Sequence, residues 1–316
     1  MGTVSEYTII MSRFFRKQRD AVFRKRHRFD FTSCASITCL ILYVIFTYVE
    51  NNVESMCWLF TPRLEGSIEP NLSLTSYEEM SSKFKWLHAG GHYSPTNCLP
   101  TQNVAILIPF RNREENLRVL LNNLHPILHR QQIMYTVYVI EQADDKPFNK
   151  GKLYNIGYLE VLKRNHTCFI FHDVDLIPED DRIRYGCSRS PMHLSLAIDK
   201  FNYRLSDDNL IGGVSAWRKR EFEMVNGWSN LFVNWGGEDD DMSSRIIANG
   251  LSIYRYRESI SRYTMLKHRR TPINTARFNL LKDSQTRFPI DGLSSLVYIP
   301  PKVEVYQLFT NISVVV

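Results

Sequence analysis

The stretch "VAILIPF", residues 104–110, is a continuous run of apolar residues. A strand that is buried on both faces has such a sequence, because helices cover both sides of a parallel sheet. The segment that follows, "REENLRVLLNNLHPIL", has leucines at helical spacing and is predicted to form a helix. "YTVYVIEQ", residues 135–142, is the next predicted strand. This β-α-β order predicts an α/β domain with a mostly parallel central sheet.

The same alternation continues toward the middle of the chain. "KGKLYNIGYLEVLKR" is predicted to be a helix, and "HTCFIFHDVD", residues 166–175, is predicted to be a strand that ends in acids. In such sheets ligands bind at the carboxyl ends of the strands. Two candidate sites therefore follow strands, at residues 110–113 and residues 173–175.

Charge is unevenly distributed along the 316 residues. The formal net charge is +6, and eight lysines and arginines crowd the first thirty residues. The remainder is close to neutral. A nucleic-acid-binding surface needs basic residues on the folded part, so a nucleic-acid partner is not expected.

Residues 31–49 carry no charged side chain and directly follow the basic run. This length just crosses a hydrocarbon core of about 30 Å, so the segment is predicted to be a transmembrane signal anchor. A buried core helix and a cleaved signal peptide are the alternatives; the late start and the lack of a small-x-small cleavage site argue against the peptide. The positive flank stays cytoplasmic. We therefore expect a cytoplasmic tail (1–30), a type II single-pass anchor (31–49), a stem (50–85) and a lumenal globular domain (86–316).

Cysteines and sequons fit an oxidising secretory compartment. Four cysteines follow the apolar stretch: Cys57, Cys98, Cys168 and Cys187. Their spacing alone allows three pairings. The candidate N-glycosylation sites are Asn71, Asn165 and Asn311.

Asp173 and Asp175 end the third predicted strand. Residues i and i+2 of an extended chain point the same way, so both carboxylates can face one Mg²⁺ or Mn²⁺ ion. The alternative is a loop whose aspartates only cap or turn the backbone. The position at a strand end favours the metal.

Four acids in a row stand in "GGEDDDMSSRI", residues 236–246. They are predicted to occupy the first turn of a helix, where the positive end of the helix dipole stabilises them. An acidic helix start is the simplest interpretation, but one charge commonly suffices for that. Because the four carboxylates point in different directions around the helix, one of them can serve as a general base.

Met265 and His268 lie three residues apart in "YTMLKHRR". The residues alone favour a core methionine and a surface histidine. If both faced one centre together with a carboxylate, the soft thioether and the imidazole would favour Mn²⁺ over Mg²⁺.

Eight short motifs occur in the order found in the β-1,4-galactosyltransferase family, which the chain resembles from about His92 to its end. They are "IPFRNREENL", "FHDVDLIP", "AIDKF", "IGGVSA", "NGW", "WGGEDDD", "MLKH" and "DGLSSL". The resemblance implies a GT-A type nucleotide-sugar transferase that depends on Mn²⁺ and inverts the anomeric centre. It also implies a Golgi membrane location.

The resemblance assigns roles to individual residues. It implies that the UDP-sugar donor binds Phe110, Arg111, Arg113, Phe148, Asp173, Lys200 and Trp235. It implies a metal site of Asp175, Met265 and His268, which reverses the interpretation of the Met-His pair given above. The implied catalytic base is Asp239, beside Glu238; the implied acceptor contacts are Asp240, Arg277 and Phe278. The family's disulfide pattern matches Cys168–Cys187 and is compatible with Cys57–Cys98.

The chain departs from the family's pattern at two places. Val233 and Asn234 replace a tryptophan and a glycine before the acidic motif, which affects the expected closure of the Trp235 loop. Leu210 and Ile211 replace an aromatic pair before Gly-Gly-Val. A smaller residue beside the donor's C2 substituent would admit an N-acetyl group, so the expected donor is UDP-GalNAc and the expected acceptor is a terminal GlcNAc, joined by a β1,4 bond.

Three other functions stay open. The first is a galactosyltransferase that uses UDP-Gal and acts on GlcNAc, glucose or xylose. The second is an inactive membrane-anchored lectin, and the third is a nucleotide-sugar hydrolase. The natural acceptor is a glycoprotein, a glycolipid or a proteoglycan stub, and the kind of anchor predicted here often sits in Golgi complexes with partner proteins.

Overall fold

The computed structural model describes residues 56–57, 64–205, 207–269 and 271–316, all within one compact unit. The predicted cytoplasmic tail and signal anchor lie outside the described residues. Among the residues that are described, no helix has the length and apolar character needed to cross a membrane.

The described residues contain twelve strands, numbered here in chain order. They are β1 His92–Tyr93, β2 Asn103–Phe110, β3 Met134–Gln142, β4 Cys168–His172, β5 Leu176–Pro178, β6 Met192–His193, β7 Ala197–Ile198, β8 Val214–Trp217, β9 Tyr254–Arg255, β10 Arg262–Met265, β11 Lys302–Val305 and β12 Thr310–Val314.

The same residues contain seven α-helices and two short 3₁₀ helices. The α-helices are α1 Tyr77–Lys83, α2 Glu114–Arg130, α3 Lys150–Leu162, α4 Lys219–Met224, α5 Glu238–Ala248, α6 Arg277–Lys282 and α7 Ser284–Arg287. The 3₁₀ helices are Asp199–Phe201 and Leu293–Ser295.

The central sheet is mixed, which corrects the expectation of a mostly parallel sheet. Its strand order is β11-β12-β3-β2-β4-β8-β6-β9, and β1 pairs with β3. Neighbours are parallel from β12 through β3 and β2 to β4, whereas β11, β1 and β8 run antiparallel to their partners β12, β3 and β4. A parallel neighbour needs a crossover connection. Only α2 and α3 supply a strand–helix–strand crossover between consecutive strands of the described sheet, so the β-α pattern predicts its centre and not its flanks.

A small second sheet, β5-β10-β7, lies outside the central one. β10 is antiparallel to β5, and Met265 is the register partner of Leu176. This pairing brings the end of β10 beside Asp175, although 90 residues of chain separate them.

The core lies on both faces of β2, as predicted. Ile106 and Ile108 pack into one cluster with Leu120 of α2. Leu107, between them, packs into the opposite cluster with Leu153 of α3. Alternate side chains of a strand point to opposite faces, so two helix layers each cover one face.

Both disulfides expected from the resemblance are present. Cys57 is bonded to Cys98, and Cys168 is bonded to Cys187.

The three sequons differ in accessibility. Asn71 and Asn165 are exposed. Asn311 is only 8% exposed within β12, and its side-chain amide donates a hydrogen bond to Glu141 at 2.9 Å. This burial and this hydrogen bond disfavour a glycan on Asn311 in the folded protein, and glycosylation at the three sequons stays a prediction.

Candidate active site

The carboxyl ends of β2, β3 and β4 meet at one edge of the central sheet, as their parallel pairing requires. Arg111, directly after β2, places its guanidinium 5.3 Å from the ring centroid of Phe148, which follows β3. The Arg111 guanidinium also donates to the carbonyl oxygens of Asp144 and Lys146. Phe110 ends β2 beside this pair. Two predicted donor-binding residues, Arg111 and Phe148, are thus brought together, whereas the Phe110 side chain is buried in the core cluster that contains Ile106 and Ile108.

Two other predicted donor residues lie further out. Arg113 precedes α2 and donates to the carbonyl of Arg269 at 3.1 Å, beside His268. Burial lowers the pKa of Arg113, and the nearby Asp175 and Asp173 carboxylates oppose that shift. Lys200 is exposed, with its Nζ 5.8 Å from the ring centroid of Phe201. The structure does not place Lys200 against any other described donor residue.

Asp175 and His268 come together at the end of the second sheet, whereas the Met265 side chain packs against the core cluster that contains Ile106 and Ile108. The Asp175 Oδ2 and His268 Nε2 atoms are 2.9 Å apart. Met265 is paired next to Asp175 across β5 and β10, and its amide donates to the Asp199 carboxylate at 2.8 Å. Contact with Asp175 raises the pKa of His268.

The donor set at this point fits a cation. His268 Nδ1 lies 2.9 Å from the carbonyl oxygen of Arg269, an arrangement that makes Nδ1 the donor and leaves Nε2 with a lone pair. That lone pair faces a carboxylate oxygen, so a proton or a metal ion is needed between the two atoms. No group of three His, Cys, Asp or Glu side chains in the described part of the chain could hold a metal ion. The Asp175 carboxylate and the His268 imidazole are the two donors that the structure brings into contact here.

Lys150, the first residue of α3, is the centre of a cluster that sequence reasoning missed. Its Nζ lies 2.9 Å from Glu238 Oε1, 3.2 Å from Asp239 Oδ1 and 3.7 Å from Asp173 Oδ1. The Tyr154 hydroxyl, one turn along α3, donates to Asp173 at 3.1 Å. Carboxylates from the end of β4 and the start of α5 thus converge on one ammonium group. Lys150 stands inside the motif "PFNKGKL", but no local pattern indicated its partners.

The cluster places carboxylates with raised pKa at the site. Burial raises the pKa of Asp239 to about 7; Glu238 and Asp173 add to the shift, and Lys150 opposes it. Burial likewise raises the pKa of Asp173 to about 6. A base with a pKa near the working pH is suited to accept a proton. Glu238 Oε2 is buried without a hydrogen-bond partner among the described residues, which leaves it free for a ligand hydroxyl.

The four acids of α5 have separate roles. Gly237 precedes the helix with a φ of 99°, and an added Cβ would lie 2.6 Å from the Phe232 ring. Asp240 is exposed, and Asp241 is fully buried. Asp241 accepts from Ser284 and is paired with Arg245 and Arg287. Only the first two acids face Lys150, and the fourth joins the helix to the protein interior.

Trp235, Arg277 and Phe278 form an exposed platform beside α5. The Arg277 guanidinium lies 5.1 Å from the Trp235 ring centroid and 4.7 Å from that of Phe278. The two rings are 58% and 64% exposed. Asn234 takes a left-handed φ of 62°, and its amide donates to the Phe148 carbonyl at 2.6 Å. The Trp235 loop is therefore tied to the nucleoside side of the site.

The loop that carries Leu210 lies against the proposed base. A Cβ added to Gly212 would come within 2.3 Å of Asp239 Oδ2, so glycine is required for this close approach. Ile211 is fully buried, and Leu210 is partly buried. Leu210 and Ile211, which replace the family's aromatic pair, therefore differ in solvent exposure. Only Leu210 has surface that a ligand could reach.

Comparison with known proteins identifies the family. Residues 57–188 match the family described as the N-terminal region of glycosyl transferase group 7, and residues 192–269 match the N-terminal domain of galactosyltransferase. The chain is 46% identical over 230 residues to beta-1,4-galactosyltransferase 2 of Mus musculus, covering 71% of this chain and 62% of that protein. It is 42% identical over 266 residues to beta-1,4-galactosyltransferase 4 of Cricetulus griseus, covering 82% of this chain and 76% of that protein.

A solved structure shares the fold. The catalytic domain of Drosophila beta1,4galactosyltransferase 7 in complex with xylobiose superposes with a TM-score of 0.60 and 27% identity, covering 68% of this chain and 94% of that one. A mutant of the same Drosophila protein was solved in complex with manganese, UDP-Gal and xylobiose. The fold of this chain is therefore GT-A-like, with a mixed sheet. On these sequence and structural similarities, the chain belongs to the β-1,4-galactosyltransferase family.

Proposed function

We propose that this protein is an inverting, manganese-dependent glycosyltransferase that moves a sugar from a UDP-sugar to a saccharide hydroxyl. One observation carries the proposal: the Asp239 carboxylate, with its pKa raised to about 7, lies 3.2 Å from Lys150 in a cluster that reaches the end of β4. Asp175 stands two residues beyond Asp173 of that cluster, and His268 is its contact partner. The names of the relatives and the manganese and UDP-Gal of the Drosophila complex support the same reaction class.

The side chains of this chain supply binding and proton transfer. Arg111 and Phe148 hold the uridine side of the donor, and Trp235 also serves the donor. Asp240, Arg277 and Phe278 receive the acceptor. The acceptor oxygen attacks donor C1 from the face opposite the diphosphate; the C1–O bond to the diphosphate breaks and UDP leaves. Asp239 takes the proton of the attacking hydroxyl. Mn²⁺, held by Asp175, Met265 and His268, would stabilise negative charge on the leaving diphosphate.

The donor that we propose is UDP-GalNAc, and the acceptor is a terminal GlcNAc of a glycoprotein or glycolipid. The support is Leu210, an aliphatic residue two positions from the glycine that touches Asp239. The second candidate is a β-1,4-galactosyltransferase that uses UDP-Gal. The names of the relatives and the donor bound in the Drosophila complex favour that candidate.

A matrix of donors and acceptors tests these functions. The full chain, purified in detergent with Mn²⁺, is assayed with UDP-GalNAc and UDP-Gal against GlcNAc, glucose and xylose acceptors. We expect the fastest transfer from UDP-GalNAc to GlcNAc, a loss of transfer on chelation of the metal, and a shift toward galactose in Leu210→Tyr. A strong galactose preference of the wild type refutes the GalNAc donor. Acceptor binding without turnover would indicate a lectin, and free sugar released without acceptor would indicate a hydrolase.

We further propose that the protein is a type II Golgi membrane protein with a lumenal catalytic domain. The support is the uncharged segment 31–49 behind a basic tail. The expected boundary between a stem at 50–85 and a domain at 86–316 moves toward the N-terminus, because residues 64–85 belong to the compact unit and Met80 and Phe84 are fully buried in its core. Golgi proteins are the proposed partners. Protease protection of the C-terminal part in sealed microsomes, together with loss of a glycan in Asn71→Gln or Asn165→Gln, tests this topology. Digestion of the C-terminal part in intact microsomes would overturn it.

A further inference from the structure

The loop at residues 207–213 contains Leu210 and meets the candidate site at Gly212, which lies against Asp239. Asp207, Asp208 and Asn209 are exposed, so apolar packing does not hold the tip of the loop. Within the loop the Leu210 amide donates to the Asp207 carbonyl at 3.1 Å. The position of Leu210 therefore depends on polar contacts with other elements.

Arg255, the last residue of β9, supplies such contacts. Its Nη2 atom donates to the carbonyl of Asp208 at 2.7 Å and to the carbonyl of Leu210 at 2.8 Å. Both acceptors are main-chain groups of the loop, and the donor is a charged guanidinium, which makes stronger hydrogen bonds than a neutral donor. One side chain thereby positions the peptide units on both sides of the loop tip.

A second anchor joins the same loop to the catalytic helix. The hydroxyl of Ser243, on α5, donates to the carbonyl of Asn209. On the other side of Leu210, Ile211 is fully buried and Gly212 touches Asp239. The loop is thus held between β9 and α5, and the partly buried Leu210 lies between these anchors, two residues from the glycine that meets Asp239.

We propose that Arg255 is a specificity-determining positioning residue, which sets how much room Leu210 leaves beside the donor's C2 substituent. This inference rests on the proposed function, since it deepens the donor selection of the same site. Space for an N-acetyl group depends on where the Leu210 backbone lies. A loop released from Arg255 samples several positions, and the distinction between an acetamido group and a hydroxyl at C2 weakens.

The test measures donor preference in Arg255→Ala and Arg255→Lys. The readouts are the ratio of kcat/KM for UDP-GalNAc and UDP-Gal, and the ratio of their Kd values measured with Mn²⁺ and no acceptor. We expect Arg255→Ala to move both ratios toward one by roughly tenfold, about the effect of losing one charge-assisted hydrogen bond. Arg255→Lys keeps the charge and one possible contact, so its donor ratios should lie between those of the wild type and those of Arg255→Ala. The Kd for UDP alone, which lacks the sugar, should stay unchanged.

Arg118 offers a matched control. From α2 it also donates to two carbonyl groups, those of Thr75 at 2.8 Å and Leu74 at 3.1 Å, in another part of the chain. Arg118→Ala should leave the donor ratios as in the wild type. In a Leu210→Ala background the Arg255 substitution should have no further effect on the ratios, because it acts through the Leu210 side chain.

The proposal is overturned if folded Arg255 variants keep the wild-type ratios, or if Arg118→Ala changes them equally. Arg255→Lys preserves the test if Arg255→Ala does not fold. Whether UDP-GalNAc is the donor is decided only by the wild-type ratio of kcat/KM for UDP-GalNAc and UDP-Gal. A galactose-preferring wild type would refute UDP-GalNAc, yet Arg255 would still be supported if its loss moved that ratio toward one.

Discussion

Lys150 controls the charge of the candidate site at the scale of single residues. Three carboxylates lie within 4 Å of the Lys150 Nζ atom. In a buried setting they would repel one another strongly, and the one ammonium group offsets that repulsion. The pKa of Lys150 is raised well above its ordinary value: burial opposes the shift, and the three carboxylates outweigh burial. Lys150 therefore stays charged, while the pKa of Asp173 is raised to about 6 and that of Asp239 to about 7.

This arrangement predicts a pH dependence of transfer. A general base must be unprotonated, and burial raises the pKa of Asp239 to about 7, so kcat/KM should fall as the pH decreases through that value. Since the Lys150 ammonium lowers the pKa of Asp239, Lys150→Met should move the acidic limb to higher pH. Profiles of kcat/KM against pH for the two proteins check both statements. An acidic limb that stays in place in Lys150→Met would contradict the role given to Lys150.

Removal of the base gives a second prediction at this scale. Asp239→Asn keeps the size of the side chain and removes its ability to take a proton. Transfer should slow by about 10²–10⁴-fold, the usual contribution of general-base catalysis. The Kd for UDP with Mn²⁺, measured by calorimetry, should change little. Asp283→Asn, which changes an exposed aspartate between α6 and α7, is the matched control and should retain far more activity.

At the scale of elements, the start of α5 and the 207–213 loop must approach closely. Gly212 permits this contact, since a Cβ there would lie 2.3 Å from Asp239 Oδ2 and 2.7 Å from Asp239 Cγ. Gly212→Ala should displace the carboxylate and lower kcat by at least tenfold, because the base must lie within hydrogen-bond reach of its proton.

A thermal melt distinguishes that effect from unfolding. The atoms that must move in Gly212→Ala belong to one side chain, so the melting temperature should fall by only a few degrees. Gly250→Ala is a control for the loss of a glycine without such a clash, because an added Cβ there meets nothing within 4 Å, although the φ of Gly250, 66°, is left-handed and that of Gly212 is not. Equal losses of kcat in both variants would show that the contact with Asp239 is not responsible.

At the scale of the whole molecule, a buried ionic network joins α5 to the C-terminal part of the chain. Arg245 is fully buried; it pairs with Asp241 at 2.5 Å and with Asp291 at 3.3 Å, and it donates to the carbonyls of Gly227 and Asp291. Arg287 contacts both acids as well. The network fixes the helix whose first turn bears Glu238 and Asp239.

Loss of Arg245 should therefore destabilise the fold. Arg245→Leu leaves buried carboxylates with one cation fewer, and breaking such a pair typically costs about 3–5 kcal/mol. Urea unfolding of the purified protein measures the change. Lys219→Leu, which removes a surface pair with Glu223 at 3.9 Å, should cost about 0–1 kcal/mol. Similar costs for both variants would show that the Arg245 network does not carry stability.

The order of β2, α2, β3, α3 and β4 was predictable because each element has its own periodicity within a short window. The antiparallel flanks of the sheet were not predictable, because strands of two to five residues such as β6, β9 and β11 are too short to show a periodicity. Asp175, Met265 and His268 were suggested by the resemblance; the structure brings Asp175 into contact with His268 and pairs the Met265 backbone beside Asp175 across β5 and β10. Their role as metal ligands stays a prediction.

The sequence by itself determined the α/β core, the acidic strand and helix ends, and the family, because these are encoded in local periodicity and short motifs. Tertiary structure alone decided which acids act together. Lys150 and Asp239 are 89 residues apart, and Arg255 is 45 residues from Leu210. Asp239 and Asp241 stand two residues apart with opposite surroundings, one beside the open site and one fully buried. The pKa and the contacts of a charged group depend on what folding brings within a few ångströms of it, and that is not encoded in its neighbours along the chain.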